Sequence, residues 1–131
     1  MAEASYPEDR KYHAEHDWAR LDPDEPGTAT FGITWFAQDA LGEIVFFDPP
    51  EVGSSVTADE SYAEVESVKA VSDVVAPLSG EIVEVNTELG SAPEAINEDP
   101  YGAGWMVKVK LSDVAEKESL MDQPTYTATL A

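Results

Sequence analysis

The sequence contains no cysteine, which excludes disulfides, thiolate metal sites and any thiol nucleophile supplied by the chain itself. Sulfur chemistry would have to be imported. Positive charge is scarce: 7 Lys and Arg stand against 27 Asp and Glu, a formal net charge of −20. A surface so negative repels phosphate backbones and anionic lipid, so no nucleic acid and no membrane is expected as partner. Long apolar runs are missing too. The longest stretch free of charged side chains, Pro26 to Gln38, is interrupted by Gly, Thr and Gln, whereas a membrane-spanning helix needs about 18 consecutive apolar residues. The opening Met1-Ala2-Glu3-Ala4-Ser5 is acidic, with neither the apolar core of a secretory signal nor the Arg-rich face of a transit peptide. A cytoplasmic protein is expected.

What is present is enough for one core: 131 residues, 43% of them hydrophobic, make a single domain of ordinary size. Residues 1–11 are polar and contain Pro7, which predicts a flexible N-terminal arm ahead of a domain over 12–131. Between His16 and Phe31 a hairpin is expected, with Asp22-Pro23-Asp24-Glu25-Pro26-Gly27 as its turn. Thr34 is placed to cap a two-turn helix over Trp35 to Leu41, and Gly42 to end it in a left-handed conformation. From Ile44 onward strand-like segments dominate: Ile44–Phe47, Tyr62–Val65, Val71–Val75, Ile82–Val85 and Trp105–Leu111. In the last, Val107, Val109 and Leu111 face inward while Lys108 and Lys110 face water. Pro93 opens a short helix over Glu94 to Asn97. After Leu111, Asp113 and Glu116 have capping-box spacing, with Leu120 and Met121 as the buried side of a terminal helix.

Several local features have ordinary explanations. Glu51-Val52-Gly53-Ser54 returns as Glu88-Leu89-Gly90-Ser91, a weak sign of two similar strand units about a pseudo-two-fold axis. His13 and His16 have helical-face spacing, yet no Cys and no third His accompany them, so hydrogen-bonded structural histidines are expected rather than a metal site. Gly102 and Gly104 imitate the start of a dinucleotide fingerprint but precede a strand, which makes them turn residues.

One residue stands apart. From Leu21 to Val107 the only cation is Lys69, in Glu64-Val65-Glu66-Ser67-Val68-Lys69-Ala70-Val71-Ser72-Asp73, between two strand-like runs. The spacing places it at an exposed hairpin tip. Composition alone favours an ordinary surface lysine paired with Glu64, Glu66 or Asp73, a contact worth about 0–1 kcal/mol. The other reading is an amine displayed for covalent attachment of a carrier group, since a modifying enzyme must reach one lysine and reject the rest.

Glu66-Ser67-Val68-Lys69-Ala70, followed by Ala76-Pro77-Leu78-Ser79-Gly80-Glu81-Ile82-Val83-Glu84-Val85-Asn86, resembles the lipoyl-attachment region of the H-protein family of the glycine cleavage system. His16-Asp17-Trp18, Gly32-Ile33-Thr34 and Ala37 through Val45 resemble the same family upstream. Ile96 through Gly102 and Gly104-Trp105-Met106 continue the pattern, which spans about residues 12 to 126 in order. The resemblance implies a mainly β fold, a flattened barrel-sandwich hybrid like biotinyl and lipoyl domains, with short flanking helices. It implies lipoic acid in amide linkage on Lys69, which would make the chain one unit more negative and import the missing sulfur. It implies a non-catalytic carrier that takes an aminomethyl group from glycine decarboxylase (P protein) to the tetrahydrofolate-dependent aminomethyltransferase (T protein). Dihydrolipoamide dehydrogenase (L protein) reoxidises the arm, and a lipoylating enzyme attaches it. Glu66 then falls where that enzyme reads the turn, and Asp17 and Asp73 where carboxylates contact the cationic aminomethyl group.

Asp17 departs from the family's more usual Glu, Trp35-Phe36 from an acidic residue with an aromatic, and Pro49-Pro50 from Leu-Pro. Trp35 is expected to cover the core beside its helix, or else to anchor a partner. Two other functions stay open. One is an H-like lipoate carrier for another pathway, such as sulfur oxidation or lipoyl relay. The other is an unmodified acidic adaptor that kept the fold. A biotin carrier is disfavoured by Val68 and Ala70, where methionines would flank the lysine. No nucleophile, base and oxyanion donor can be assembled into an enzyme.

Overall fold

Period-two alternation, interrupted by Gly, Pro and Asp turns, sends the chain into two antiparallel sheets. The computed structural model describes residues 5–130. The larger sheet contains β1 (Lys11–Tyr12), β2 (Asp17–Leu21), β3 (Thr28–Ile33), β5 (Ser55–Val56), β8 (Gly80–Val85) and β9 (Val107–Leu111) in the order β1-β2-β3-β9-β8-β5. The smaller contains β4 (Ile44–Asp48), β6 (Ser61–Ser67) and β7 (Val71–Val75) in the order β4-β6-β7. Short helices α1 (Trp35–Leu41), α2 (Ala95–Glu98) and α3 (Gln123–Thr129) flank them. The fold is mainly β, as the alternation predicts.

The inner faces meet in one core. Ala19, Ala29, Phe31, Ile82, Val107 and Val109 come from the larger sheet, and Ile44, Phe47, Ala63, Val65 and Val74 from the smaller. Burying a side chain such as Phe31 or Ile82 contributes about 1.5–3 kcal/mol. A second, aromatic cluster of Tyr12, Trp18 and Tyr126 lies on the outer face of β1 and β2. There Tyr12 and Tyr126 stack with centroids 4.7 Å apart, which docks α3 on the sheet. Residues 1–4 of the N-terminal arm lie outside the described residues. Beyond them, Tyr6 packs edge-on against Tyr126, Pro7 accepts a 2.6 Å hydrogen bond from the Tyr12 hydroxyl, and Arg10 lies over the Trp18 ring.

The hairpin from His16 to Phe31 forms as β2 and β3, with the turn closed by Thr28 N–H to Glu25 and Asp22 N–H to Thr28. Helix α1 has the expected bounds: Thr34 Oγ1 accepts from Ala37 N–H, and Gly42 ends it at φ +82°. Four expectations change. Asp113 does cap the turn after β9, but as a 3-10 turn over Val114–Ser119. Glu116, instead of closing a capping box, crosses to accept from Ser79 N–H (2.8 Å) and Ser79 Oγ (3.0 Å), two donors that a reciprocal cap would have left unpaired. Leu120 and Met121 belong to no helix; Met121 exchanges backbone hydrogen bonds with Tyr12, and the terminal helix begins after Asp122, which caps it. The repeated tetrapeptides diverge, since Gly53 is left-handed in a bend while Leu89-Gly90 ends a 3-10 turn.

Gly80, where β8 begins opposite Leu111, has no room for a side chain: a Cβ would press on the Lys110 carbonyl and lie 2.6 Å from Val109 Cγ1. Gly90 faces open space. Gly80→Ala is expected to lower the unfolding free energy by about 1–3 kcal/mol. Gly90→Ala should leave it unchanged or raise it by up to about 1 kcal/mol. Urea denaturation of the two variants checks both.

Candidate functional site

The loop joining β6 to β7 is as short as a hairpin permits. Ser67 N–H donates to the Ala70 carbonyl (2.8 Å), leaving Val68 and Lys69 as the two tip residues. Ser67 Oγ, on a buried residue, accepts from the Lys69 and Ala70 N–H groups at 3.3 and 3.1 Å and so fixes the tip from inside. Val68 N–H donates to the Glu43 carbonyl (3.0 Å), tying the tip to the segment after α1.

That segment is itself held by one buried side chain. Asn97 of α2 accepts from Ile44 N–H (2.8 Å) and donates to the Gly42 carbonyl (2.8 Å) and to Gln38 Oε1 (3.0 Å). The amide thus clamps the residues on either side of Glu43. Lys69 lies over the cleared space at Gly42, its Cε 3.4 Å from where a Cβ would stand. Beside it, a cavity of about 290 Å³ opens between α1 and α2, lined by Gln38, Asp39, Glu43, Glu94 and Glu98 among others.

Lys69 is exposed, and among the described residues its ammonium makes no ion pair; the pairs found are Arg10–Asp9, Arg20–Asp9, His13–Asp59 and Lys108–Glu84. The pairing with Glu64, Glu66 or Asp73 that an ordinary surface lysine would make is not formed. Glu66 is exposed in a row with Phe46 and Val71 across the smaller sheet, and Asp73 is exposed in the next row with Asp48 and Glu64. The structure therefore sets Glu66 beside the hairpin tip that carries Lys69, and Asp73 on the same exposed face but midway along β7. Val45, Phe46, Val68 and Val71, all 45–67% exposed, put apolar surface among these carboxylates.

Asp17 lies elsewhere. It is 2% exposed, on the inner face of β2, with its carboxylate accepting from Val75 N–H at the far end of β7. Burial pushes its pKa well above the usual carboxylate range, and the Val75 hydrogen bond opposes that only in part. Tyr62 shares this pocket of the core. Burial, helped by the Asp17 charge, raises its phenol as well.

The histidines occupy the turn between β1 and β2, not a helix face. His16, at φ +72°, has Nδ1 2.8 Å from the Tyr126 hydroxyl, which lies 2.9 Å from Thr34 Oγ1. Burial lowers the His16 pKa and raises that of Tyr126 to about 12. His13 bonds Asp59 and accepts from Glu15 N–H. Among the described residues no group of three or more His, Cys, Asp or Glu is placed to hold a metal. Trp35 is half-buried, and its backbone N–H donates to the Tyr101 hydroxyl (2.9 Å); Phe36 beside it is exposed and packs on His16. Gly102 and Gly104 form the turn around Asp99, where Cβ atoms would strike the Asp99 carboxylate and the Ala95 and Asp99 carbonyls. No helix among the described residues is long and apolar enough to cross a membrane.

Two facing sheets with a rigid, lysine-tipped hairpin define a lipoyl-domain-like β-sandwich. The comparisons are specific. A family model described as glycine cleavage H-protein matches residues 10–131. The glycine cleavage system H protein of Symbiobacterium thermophilum is 51% identical over 125 residues, 95% of each chain. That of Escherichia coli O7:K1 is 51% identical over 127 residues, 97% of each. A crystal structure of a glycine cleavage system H protein from Mycobacterium marinum superposes with a TM-score of 0.86 at 44% identity, covering 95% of this chain and 98% of that one. The chain belongs to the glycine cleavage H-protein family.

Two predictions follow from this geometry. Because the folded-state pKa of Asp17 lies above its unfolded value of about 3.9, the folded chain holds this proton more tightly. Its contribution to stability is then lost as pH rises from about 4 through the folded value. Asp17→Asn keeps the acceptor for Val75 N–H without the charge, so its gain in stability over the parent should widen from about pH 4.5 to 8 in paired urea titrations. Asn97→Ala leaves Ile44 N–H and the Gly42 carbonyl unpaired, and should cost about 2–4 kcal/mol by the same assay.

Proposed function

We propose that Lys69 carries lipoic acid in amide linkage and that the chain is the carrier of glycine cleavage. On this reading it moves an aminomethyl unit from glycine decarboxylase to the tetrahydrofolate-dependent aminomethyltransferase, with dihydrolipoamide dehydrogenase restoring the oxidised arm. The supporting observation is an exposed amine that makes no ion pair among the described residues, on a two-residue turn braced by Ser67 Oγ and the Glu43 carbonyl. These residues suit the group: an amide needs a reachable lysine, and a chain without cysteine needs sulfur from outside. When attached, the group supplies a dithiolane that cycles between disulfide and dithiol and holds the one-carbon unit.

The chain's own contribution is presentation. Acylation turns the Lys69 ammonium into a neutral amide, and the hairpin keeps that amide clear of the sheets. A tether on a rigid tip raises effective concentration at successive enzyme sites. We assign Glu66, exposed three residues before Lys69, to recognition by the lipoylating enzyme. Asp73 is assigned to contact with the cationic end of the loaded arm, four residues along the strand that leads away from the tip. Contact with Asp17, at the Val75 end of the same strand, calls for a small opening over its carboxylate, because Asp17 is closed over here. The carrier subunit performs no catalysis of its own on this reading.

Intact-mass measurement of the protein purified from its own host, with peptide mapping around Lys69, tests the attachment. A lipoyl increment on Lys69 is expected, and it should vanish in Lys69→Arg while the unfolding free energy stays within about 0.5 kcal/mol. Glycine–bicarbonate exchange with the partner enzymes should be lost in the same variant. An unmodified Lys69 in lipoate-replete cells that possess the modifying enzymes would overturn the carrier reading in favour of the acidic adaptor.

A further inference from the structure

The scarce cations are not spread evenly over the molecule. On the outer face of the larger sheet, register sets Arg20 opposite Thr30 and Thr30 opposite Lys108, one row across β2, β3 and β9. At the usual strand spacing, Arg20 and Lys108 stand about 10 Å apart with the Thr30 hydroxyl between them. Trp105 and Tyr101, both half-buried, wall a cavity of about 250 Å³ that this row floors. Next to it Arg10 lies with its guanidinium 4.6 Å from the Trp18 ring centroid and 5.2 Å from that of Tyr101. In a chain of net charge −20, this pocket is lined by two cations, with a third, Arg10, against the Trp18 and Tyr101 rings that also line it.

Their charge is only partly neutralised. Asp9 serves both Arg10 (2.9 Å) and Arg20 (3.2 Å), and Glu84 lies 3.6 Å from Lys108. Asp9 engages only Nε of Arg20, so among the described residues the two terminal amino groups of that guanidinium make no hydrogen bond. The side chains of Arg20 and Lys108 are 40% and 39% exposed. A guanidinium fork with free ends, a hydroxyl and an ammonium in one row suit a carboxylate, which the fork can take with two parallel bonds. The Lys108 ammonium lies over the Trp105 ring, 5.5 Å from its centroid, so a flat group that stacks there takes the ammonium's place and leaves it to meet the carboxylate. The cavity falls just below the usual range of drug-sized sites, which suits a ligand of one ring.

We propose that this pocket is a second binding site, for a small planar carboxylate, on the opposite sheet from the Lys69 hairpin and independent of that lysine. Carboxylate oxygens would meet Arg20 and Thr30, the ring would lie on Trp105, and Lys108 would cover the remaining charge. The proposal goes beyond the carrier role and stands whether or not Lys69 is acylated.

The test is a titration of the full-length protein with benzoate, acetate and inorganic phosphate, followed by the nitrogen-bound proton signals of the three indoles. Benzoate should shift the Trp105 signal saturably and leave Trp35, on α1, unmoved. It should bind about three- to tenfold more tightly than acetate, the increment expected of one aromatic contact. In Arg20→Gln/Lys108→Gln the shift should disappear while the Trp35 indole, on α1 and outside the cavity, keeps its resonance and so reports an intact fold. Lys69→Arg should bind benzoate like the parent. Absence of a saturable shift, an equal shift in the double variant, or tighter binding of acetate or phosphate than of benzoate would each overturn the proposal.

Discussion

The side chain of Asn97 is the point on which the geometry at Lys69 depends. Its amide fixes Gly42 and Ile44, the two neighbours of Glu43, and through the Glu43 carbonyl it fixes the Val68 N–H at the hairpin tip. The chain of dependence runs through four segments: α2, the end of α1, the start of β4 and the β6–β7 turn. In a sheet, a hairpin that projects beyond its partners is free to bend, because its last hydrogen bonds face water. Here the tip has a strut on its flank, and the strut is anchored in a buried site where breaking a hydrogen bond leaves an unpaired polar group. Presentation of one amine thus draws on the stability of the whole sandwich.

The interior at the other end of β7 has the opposite character. Asp17 occupies a position that the pattern of β2 reserves for an inward side chain, between the two sheets and near Tyr62. A carboxylate in such a place costs stability whenever it is charged, and nothing in the packing of Ala19 or Ile33 requires it. A cation reaching this carboxylate would offset the penalty. The two ends of one strand are therefore unlike: an open, braced tip at Val71 and a closed, polar interior at Val75.

How far the sequence revealed this depends on how local each cause is. Helix α1 was legible to its ends, since Thr34, the apolar turn and Gly42 lie within nine residues and act on each other directly. The strands from β6 to β9 were legible in outline, although β8 breaks its alternation at a bulge between Ile82 and Glu84 and β9 begins at Val107 rather than Trp105. Two-residue strands such as β1 and β5 are too short to display a period, and they exist only because β2 and β8 offer them free edges. Glu116 shows where local rules lose: its capping-box spacing is correct, but Ser79, 37 positions away, presents two donors. At the site, the isolation of Lys69 among acids was visible in composition, and so was its place at a turn. Asn97 carried no signal, because its three partners come from segments more than 50 residues earlier in the chain. The row of Arg20, Thr30 and Lys108 was equally hidden, being created by strand order alone.

The separation of charge between the two sheets has a kinetic meaning. Glu43, Glu64, Glu66 and Asp73 lie on the hairpin side, while Arg10, Arg20 and Lys108 lie on the larger sheet, so these side chains contribute a dipole along the line joining them, less the share that Asp9 and Glu84 cancel. A dipole feels a torque in the field of a charged partner before any contact forms, over distances of about a Debye length, ~8 Å at physiological salt. An enzyme whose entrance is lined by cations would therefore turn this protein hairpin-first during approach, raising the fraction of collisions in which Lys69 leads. For a carrier protein, such an arrangement of charges would shorten the time lost to wrongly oriented encounters without tighter binding that would delay its departure.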